Sequence, residues 1–267
     1  MVRYLHYVIF GLNPNDNDSM DFLTDLYYTR QGPAHYMAKL GRLLKQFNLM
    51  GHGDISDRIE QAATLYEHSP ALANFQADQP EYNHMTRREL AKLMTSIMSI
   101  AAMQGPLHIA NTSMGFQPFP AYPNRKTDQI DPTHTWDALD LEDRESVRLF
   151  LLECARLWAP VSATHRLATE SFTVTIAGKE RTFPAGTNIL IPMSLGLLDE
   201  SIWGPTTYEF NAKRENLCPF HMGFHSVGDR SAGRICPGKD IALDMLVDII
   251  ITVGKMRRTL PPVTATT

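Results

Sequence analysis

The chain has 267 residues, 43% apolar and 20% charged, an ordinary globular balance with enough length to bury a core. Its formal charge of −4, from 25 basic and 29 acidic residues, argues against a nucleic-acid partner, which needs a basic patch. No apolar run approaches the ~20 residues that span a bilayer, and three cysteines cannot all pair, so neither a transmembrane segment nor a disulfide framework is expected.

The opening MVRYLHYVIFGLNP is a short apolar stretch interrupted by His6 and Asn13, with no small-residue cleavage site. It reads as core rather than as a signal peptide. Ser19 is the candidate cap of a helix from Met20 to Arg30, stopped by Gln31-Gly32-Pro33. A second helix is expected from Ala34 to Phe47, on the spacing of Tyr36, Leu40, Leu43 and Leu44, and a third from Ser56 to Glu67. The segment from Thr86 to Ser113 is apolar almost all round in its middle, the pattern of a buried helix. A kink is expected at Gly105-Pro106, where proline removes a donor and crowds the preceding turn. Residues 115–135, rich in Pro, Asn, Thr and Asp, read as an exposed loop.

Leu141 to Leu157 reads as a strong helix, after which the pattern turns to strands. Ser171 to Ile176 alternates, Ala177-Gly178-Lys179 turns, and Arg181-Thr182-Phe183 returns as a hairpin. Thr187 to Met193 is a third apolar strand, and the strand-rich text runs to Trp203-Gly204. The last helix begins after Cys236, with Ile241, Ala242, Met245, Leu246, Ile249, Ile250 and Val253 on one face. Gly254 is its expected end, and Lys255, Arg257 and Arg258 suit the negative pole there.

Three segments carry the chemistry when read together. Glu153 and Arg156 stand three apart on a helix and face the same way, so they can pair. Phe210 and Arg214 follow, an aromatic that packs and a cation. The third segment is Gly233-Arg234-Ile235-Cys236-Pro237-Gly238. Cys236 is placed at the N-cap of the last helix, with Pro237 in the first helical position. The positive helix end favours a thiolate sulfur, Gly233 and Gly238 let a planar ligand approach the backbone, and Arg234 can reach an anionic group on it. The bland alternative is a buried cysteine at a helix start. A zinc site of Cys218, His221, His225 and Cys236 is a further reading, on a spacing that matches no common finger.

Glu-x-x-Arg at 153–156, Phe-x-x-x-Arg at 210–214 and Arg-x-Cys-x-Gly at 234–238, before an amphipathic helix, are similar in order and spacing to the cytochromes P-450. The resemblance covers at least residues 141–258. It implies a mainly α fold with a small β-sheet (α+β), a truncated version of that fold, with 1–267 as a single haem domain. It implies haem b as cofactor, with Cys236 as the axial thiolate ligand of the iron. Glu153, Arg156 and Arg214 become a salt-bridged triad that braces the proximal core. Arg234 meets a haem propionate, Arg166 occupies the place of another propionate-binding arginine, and Gly238 lies beside the ring. The helix at 86–113 crosses the distal face.

The sequence departs from the family in several places. The stretch before the cysteine, FHSVGDRSAGRIC, is longer than usual and resembles the allene oxide synthase and hydroperoxide lyase branch. The distal helix has Ala102-Met103-Gln104-Gly105-Pro106, then His108 and Asn111, in place of the acid–Thr pair of monooxygenases. That run is reminiscent of prostacyclin synthase and of the haem-thiolate domain of fungal linoleate diol synthases. Gln104, His108 and Asn111 are therefore the candidate catalytic residues; alternatively they satisfy backbone groups freed at the kink. The usual N-terminal portion is missing and the chain stops soon after the cysteine helix.

The leading expectation is a haem-thiolate enzyme that rearranges or dehydrates an apolar peroxide or oxygenated, fatty-acid-like substrate without external electrons. A conventional O₂- and NADPH-dependent monooxygenase is the alternative, and a non-catalytic haem-binding fragment or partner subunit is the third. The partners implied are an apolar small molecule and a reductase or a missing N-terminal chain. The cysteine usage places the chain in the cytoplasm, with the membrane surface as the alternative site.

Overall fold

The computed structural model describes residues 1–27, 53–75, 84–98, 102–115, 136, 138–161, 163–215, 217, 236 and 238–259, with the side chains of 53–56 and 104 excepted. The helix expected at Ala34–Phe47, the loop after residue 115, Cys218, His221, His225, Gly233, Arg234 and Pro237 lie outside them. The chain divides into two compact units, Met1–Gly105 and Pro106–Thr267.

In the first unit, α1 (Val2–Phe10) buries Val2, Leu5, His6 and Phe10. His6 does not interrupt this helix: its ring is buried and hydrogen-bonded, which removes the cost of burying a polar group. The helix ends at Gly11, whose left-handed φ of 70° lets its N–H reach the His6 and Tyr7 carbonyls. α2 (Asn17–Tyr27) starts earlier than Ser19 suggests, because Asp16 supplies both a carboxylate for the Ser19 N–H and a carbonyl for the Met20 N–H. α3 (Gly53–Glu67) and α4 (Pro70–Ala73) follow. α5 (Arg87–Ile97) opens with a reciprocal capping box between Thr86 and Glu89. It packs on α3, where Arg88 pairs with Glu60 and Glu67.

Gly105 and Pro106 lie inside α6 (Gln104–Ser113), ahead of which the Met103 N–H bonds back five residues to the Met98 carbonyl at 3.2 Å, a π-type bond. Pro106 then sits in the first turn of α6, where its missing N–H has no partner to lose.

In the second unit, α7 (Arg144–Leu157) is capped by the Asp143 carboxylate, which accepts from the Glu145 N–H. The strands are β1 (Thr164–Leu167), β2 (Phe172–Ile176), β3 (Lys179–Phe183) and β4 (Asn188–Ile191). β2 and β3 form the expected hairpin, register Ile176↔Lys179, and β1 pairs antiparallel with β4, register Arg166↔Ile189. β1 (Thr-His-Arg-Leu) turns Thr164 and Arg166 inward and exposes Leu167, so it carries no apolar alternation to read in the sequence. Beyond β4 the chain is helical rather than strand-rich: α8 (Met193–Gly196), α9 (Glu200–Trp203) and a 3₁₀ turn (Gly204–Thr206). Asp199 caps α9 through the Ser201 N–H, and Pro205 suits the start of the 3₁₀ turn.

The last helix, α10 (Lys239–Thr259), runs past Gly254 and packs on α7. Gly254 is buried inside it, because a Cβ there would stand 2.7 Å from Leu141 Cδ1. The buried face holds Leu243, Leu246, Val247, Ile250 and Gly254, whereas Ile241 is exposed. The face is set by contact with α7, which the helical spacing alone could not fix. Among the described residues, no helix is long and apolar enough to cross a membrane.

Candidate functional site

The second unit is built round one buried carboxylate. Glu153 and Arg156 lie one turn apart on α7 and both are inaccessible to solvent. Arg156 embraces Glu153 with two bonds, Nε to Oε2 at 2.8 Å and Nη2 to Oε1 at 2.9 Å. Arg214 donates from Nε to Oε1 at 2.9 Å, and the Asn211 N–H reaches the same oxygen at 3.1 Å. The guanidiniums are further used up on main-chain carbonyls. Arg156 donates to Leu197 and Thr207, and Arg214 to Thr206 and Glu209. Arg156 also lies over the Trp203 ring, 5.0 Å from its centroid. Phe210 packs on Phe150 of α7 with ring centroids 5.3 Å apart.

The arrangement bridges α7 to the irregular segment from α8 to Arg214, which has little regular hydrogen bonding of its own. Buried charges of this kind are tolerable only when every lone pair and N–H finds a partner. Sequence spacing brought Glu153, Arg156 and Arg214 to notice. It could not reveal the Asn211 N–H or the carbonyls of Leu197 and Thr207. Five fixed guanidinium N–H groups on a buried arginine were the signal that such acceptors had to exist.

Cys236 is half-buried and stands ahead of α10, which starts at Lys239 rather than directly after the cysteine. Its carbonyl accepts the Lys239 N–H at 3.4 Å, and the Gly238 carbonyl accepts the Ala242 N–H, opening the helix. Cys154, by contrast, is fully buried on α7. Burial, reinforced by the neighbouring Glu153 charge, pushes its thiol well above the ordinary range and keeps it protonated. Of these two cysteines, Cys236 is the more accessible.

His108 and Asn111 lie on α6. The His108 Nε2–H donates to the Trp158 carbonyl at 3.1 Å, joining α6 to the C-terminal end of α7. Asn111 is half-buried, and Gln104 opens the helix. Arg166 is half-buried on β1; its Nη1 donates to Thr164 Oγ1 at 2.7 Å and to the His165 carbonyl at 2.8 Å. Of the four zinc candidates only Cys236 falls among the described residues, where no cluster of His, Cys, Asp and Glu could hold a metal ion.

A thiolate-ligated haem needs a sulfur donor beside open backbone. Cys236 would supply the donor, and among the described residues no atom lies within 4 Å of a Cβ built on Gly238. The residues present fit the group.

No family model matches the sequence, and no curated protein does. Solved structures do. CYP109E1 from Bacillus megaterium, in complex with corticosterone, matches at a TM-score of 0.61 and 16% identity, over 96% of this chain and 60% of that one. The open form of cytochrome P-450 Eryk from S. erythraea matches at 0.61 and 15%, over 96% and 58%. A structure from work on unusual cytochrome P-450-like monooxygenases of microbial secondary metabolism matches at 0.60 and 15%, over 99% and 63%. The chain therefore has the cytochrome P-450 fold in partial form, spanning about 60% of the length of the solved structures it matches.

Proposed function

We propose that this chain is the haem-binding portion of a haem-thiolate enzyme, with Cys236 as the axial ligand and 1–267 as one haem domain. The observation that carries the reading is a free, half-buried cysteine beside open backbone at the head of α10, in a chain with the cytochrome P-450 fold. Haem iron held by a thiolate supplies the chemistry of cleaving or using an O–O bond. The chain's own residues divide the remaining work. Gly238 leaves room for the ring, and Arg166 and Arg234 are the cations for its propionates. Glu153, Arg156 and Arg214 hold the irregular segment rigid against α7.

On the distal side, the amides of Gln104 and Asn111 orient a substrate oxygen through neutral hydrogen bonds. His108 spends its Nε2–H on the Trp158 carbonyl and so positions α6. No carboxylic acid accompanies them in the run from Ala102 to Ser113, the feature that favours rearrangement or dehydration of an apolar peroxide over reductive oxygen activation. The second reading, a monooxygenase, is favoured by the solved neighbours, one of which comes from work on cytochrome P-450-like monooxygenases and another of which is in complex with corticosterone.

The test is the absorption spectrum of the haem-loaded chain, ferrous and CO-bound, beside Cys236→Ala. A strongly red-shifted CO band that the variant loses supports thiolate ligation. Turnover of a fatty-acid hydroperoxide without reductase then supports the leading reading, and turnover that requires NADPH and a reductase supports the second. A folded chain that takes up no haem refutes both for this chain alone and points to a complementary N-terminal chain.

A further inference from the structure

The first unit contains a buried hydrogen-bonded array that the haem chemistry does not use. His6 of α1 is inaccessible to solvent. Its Nδ1 is 2.8 Å from the Val2 carbonyl and its Nε2 2.8 Å from the Tyr66 hydroxyl of α3. The Tyr66 hydroxyl is in turn 2.7 Å from the Tyr27 hydroxyl of α2. Both tyrosines are buried, and Phe10 stacks flat on Tyr66 with centroids 4.0 Å apart. One ring and two phenols thus join three helices.

Proton bookkeeping fixes the neutral form of the array. The Val2 carbonyl can only accept, so Nδ1 carries the hydrogen and Nε2 presents a lone pair to the Tyr66 hydroxyl. A second proton on the ring places Nε2–H against the Tyr66 oxygen. The Tyr66 hydroxyl donates to the Tyr27 oxygen and can accept that hydrogen on its own oxygen, but a positive charge is left in an apolar, aromatic surround.

Among the described residues, nothing nearby neutralises that charge. On α1, Arg3 is held by the Pro14 carbonyl and Asp21. On α2, Asp25 is taken by Arg58 of α3, and Asp18 and Asp21 are exposed. On α3, Glu60 and Glu67 are taken by Arg88. α4 (Pro-Ala-Leu-Ala) carries no charge. Consistently, burial pushes His6 below the usual imidazole range, and the bond to Val2 offsets this only in part.

We propose that the His6–Tyr66–Tyr27 array is an acid-released latch, which holds α1 against α2 and α3 while His6 is neutral and frees α1 when the ring takes up a proton. The released state binds the proton more readily than the latched one. The latch is therefore fully closed above the ordinary imidazole value of about 6.5 and weakens as pH falls toward the depressed value in the docked state. Between those limits the opening equilibrium changes by at most about tenfold per pH unit. The proposal is independent of haem.

The experiment is hydrogen exchange of the α1 amides in the full chain, corrected for the intrinsic rate, from about pH 7.5 to about pH 5.5. Opening should be flat to about pH 6.5 and then rise roughly three- to tenfold in the wild type. In His6→Gln, whose amide can still reach Tyr66 but cannot be charged, the rise should vanish. The same pH response in both proteins overturns the proposal. Should His6→Gln fail to fold, the ring titration of His6 in the wild type decides by NMR. A midpoint below about 6.5 that tracks the loss of α1 protection upholds the latch, and titration at the ordinary value with α1 still protected overturns it.

Discussion

Replacing Glu153 by Gln leaves the volume of the side chain nearly unchanged and removes the carboxylate that Arg156 and Arg214 share. The glutamine carbonyl can still accept from one guanidinium, but its NH₂ faces donors where Oε1 or Oε2 received them. Arg156 is then an uncompensated cation with a fully buried side chain, and Arg214 one whose side chain is 7% exposed. Breaking a buried pair in this way costs about 3–5 kcal/mol, a large share of the ~5–15 kcal/mol that holds a domain folded. For a unit of this size the melting midpoint should fall by about 6–20 °C. The assay is urea and thermal unfolding followed by circular dichroism, with the second-unit α7 amides followed by hydrogen exchange. Two controls sharpen it. Arg214→Met, which leaves the Glu153–Arg156 pair intact, should cost less. The double variant Glu153→Leu/Arg156→Met should also be more stable than Glu153→Gln, since it leaves no unpaired partner of that pair in the core. A Glu153→Gln protein within about 1 kcal/mol of wild type would refute the view that this carboxylate organises the unit.

Gly254→Ala should destabilise by about 1–2 kcal/mol, although alanine gains about 1 kcal/mol of helix propensity, because its Cβ meets Leu141 Cδ1 at 2.7 Å. In a double-mutant cycle with Leu141→Ala, measured by chemical denaturation, the two sites should couple by more than about 0.5 kcal/mol. Ala177 adopts a left-handed φ of 50° beside Gly178 at 75°, in a two-residue turn that favours Asn-Gly. Ala177→Asn should therefore strengthen the β2–β3 hairpin by about 1 kcal/mol, read as slower exchange of the Val174 and Arg181 amides.

Local signals carried much of the fold. The helix start near Thr86, the strand from Phe172 to Ile176 and the turn at Ala177-Gly178 each depend on a few neighbouring residues, and each is present where the sequence suggests. What the sequence left hidden depends on contacts across long separations. Ile241 and Leu243 are equally apolar, and only the position of α7 decides that Leu243 is buried and Ile241 exposed. Gly254 looks like a helix stop until Leu141 is seen against it. His6 looks like a break in an apolar run until Tyr66, sixty residues on, is found on its Nε2. At the candidate site, motif spacing singled out Glu153, Arg156, Arg214 and Cys236. The carbonyls that complete the arginine shells carry no side-chain signature and could not be read.

α7 explains why these distant segments act together. Its first turn pairs with α10 through Arg144 and Asp248, and α10 starts at Lys239, three residues after Cys236. Its last turns hold the segment from Leu197 to Arg214 through Glu153 and Arg156. Its terminal carbonyl at Trp158 receives the His108 ring of α6. Residues that touch no ligand can therefore influence α6 and α10, because both pack on or bond to α7. On this view Glu153→Gln should disturb the spectrum of a thiolate-bound haem in proportion to the loss of α7 protection. Cys236→Ala should abolish that spectrum with α7 left intact. Separating the two outcomes distinguishes loss of the proposed ligand from loss of the structure round it.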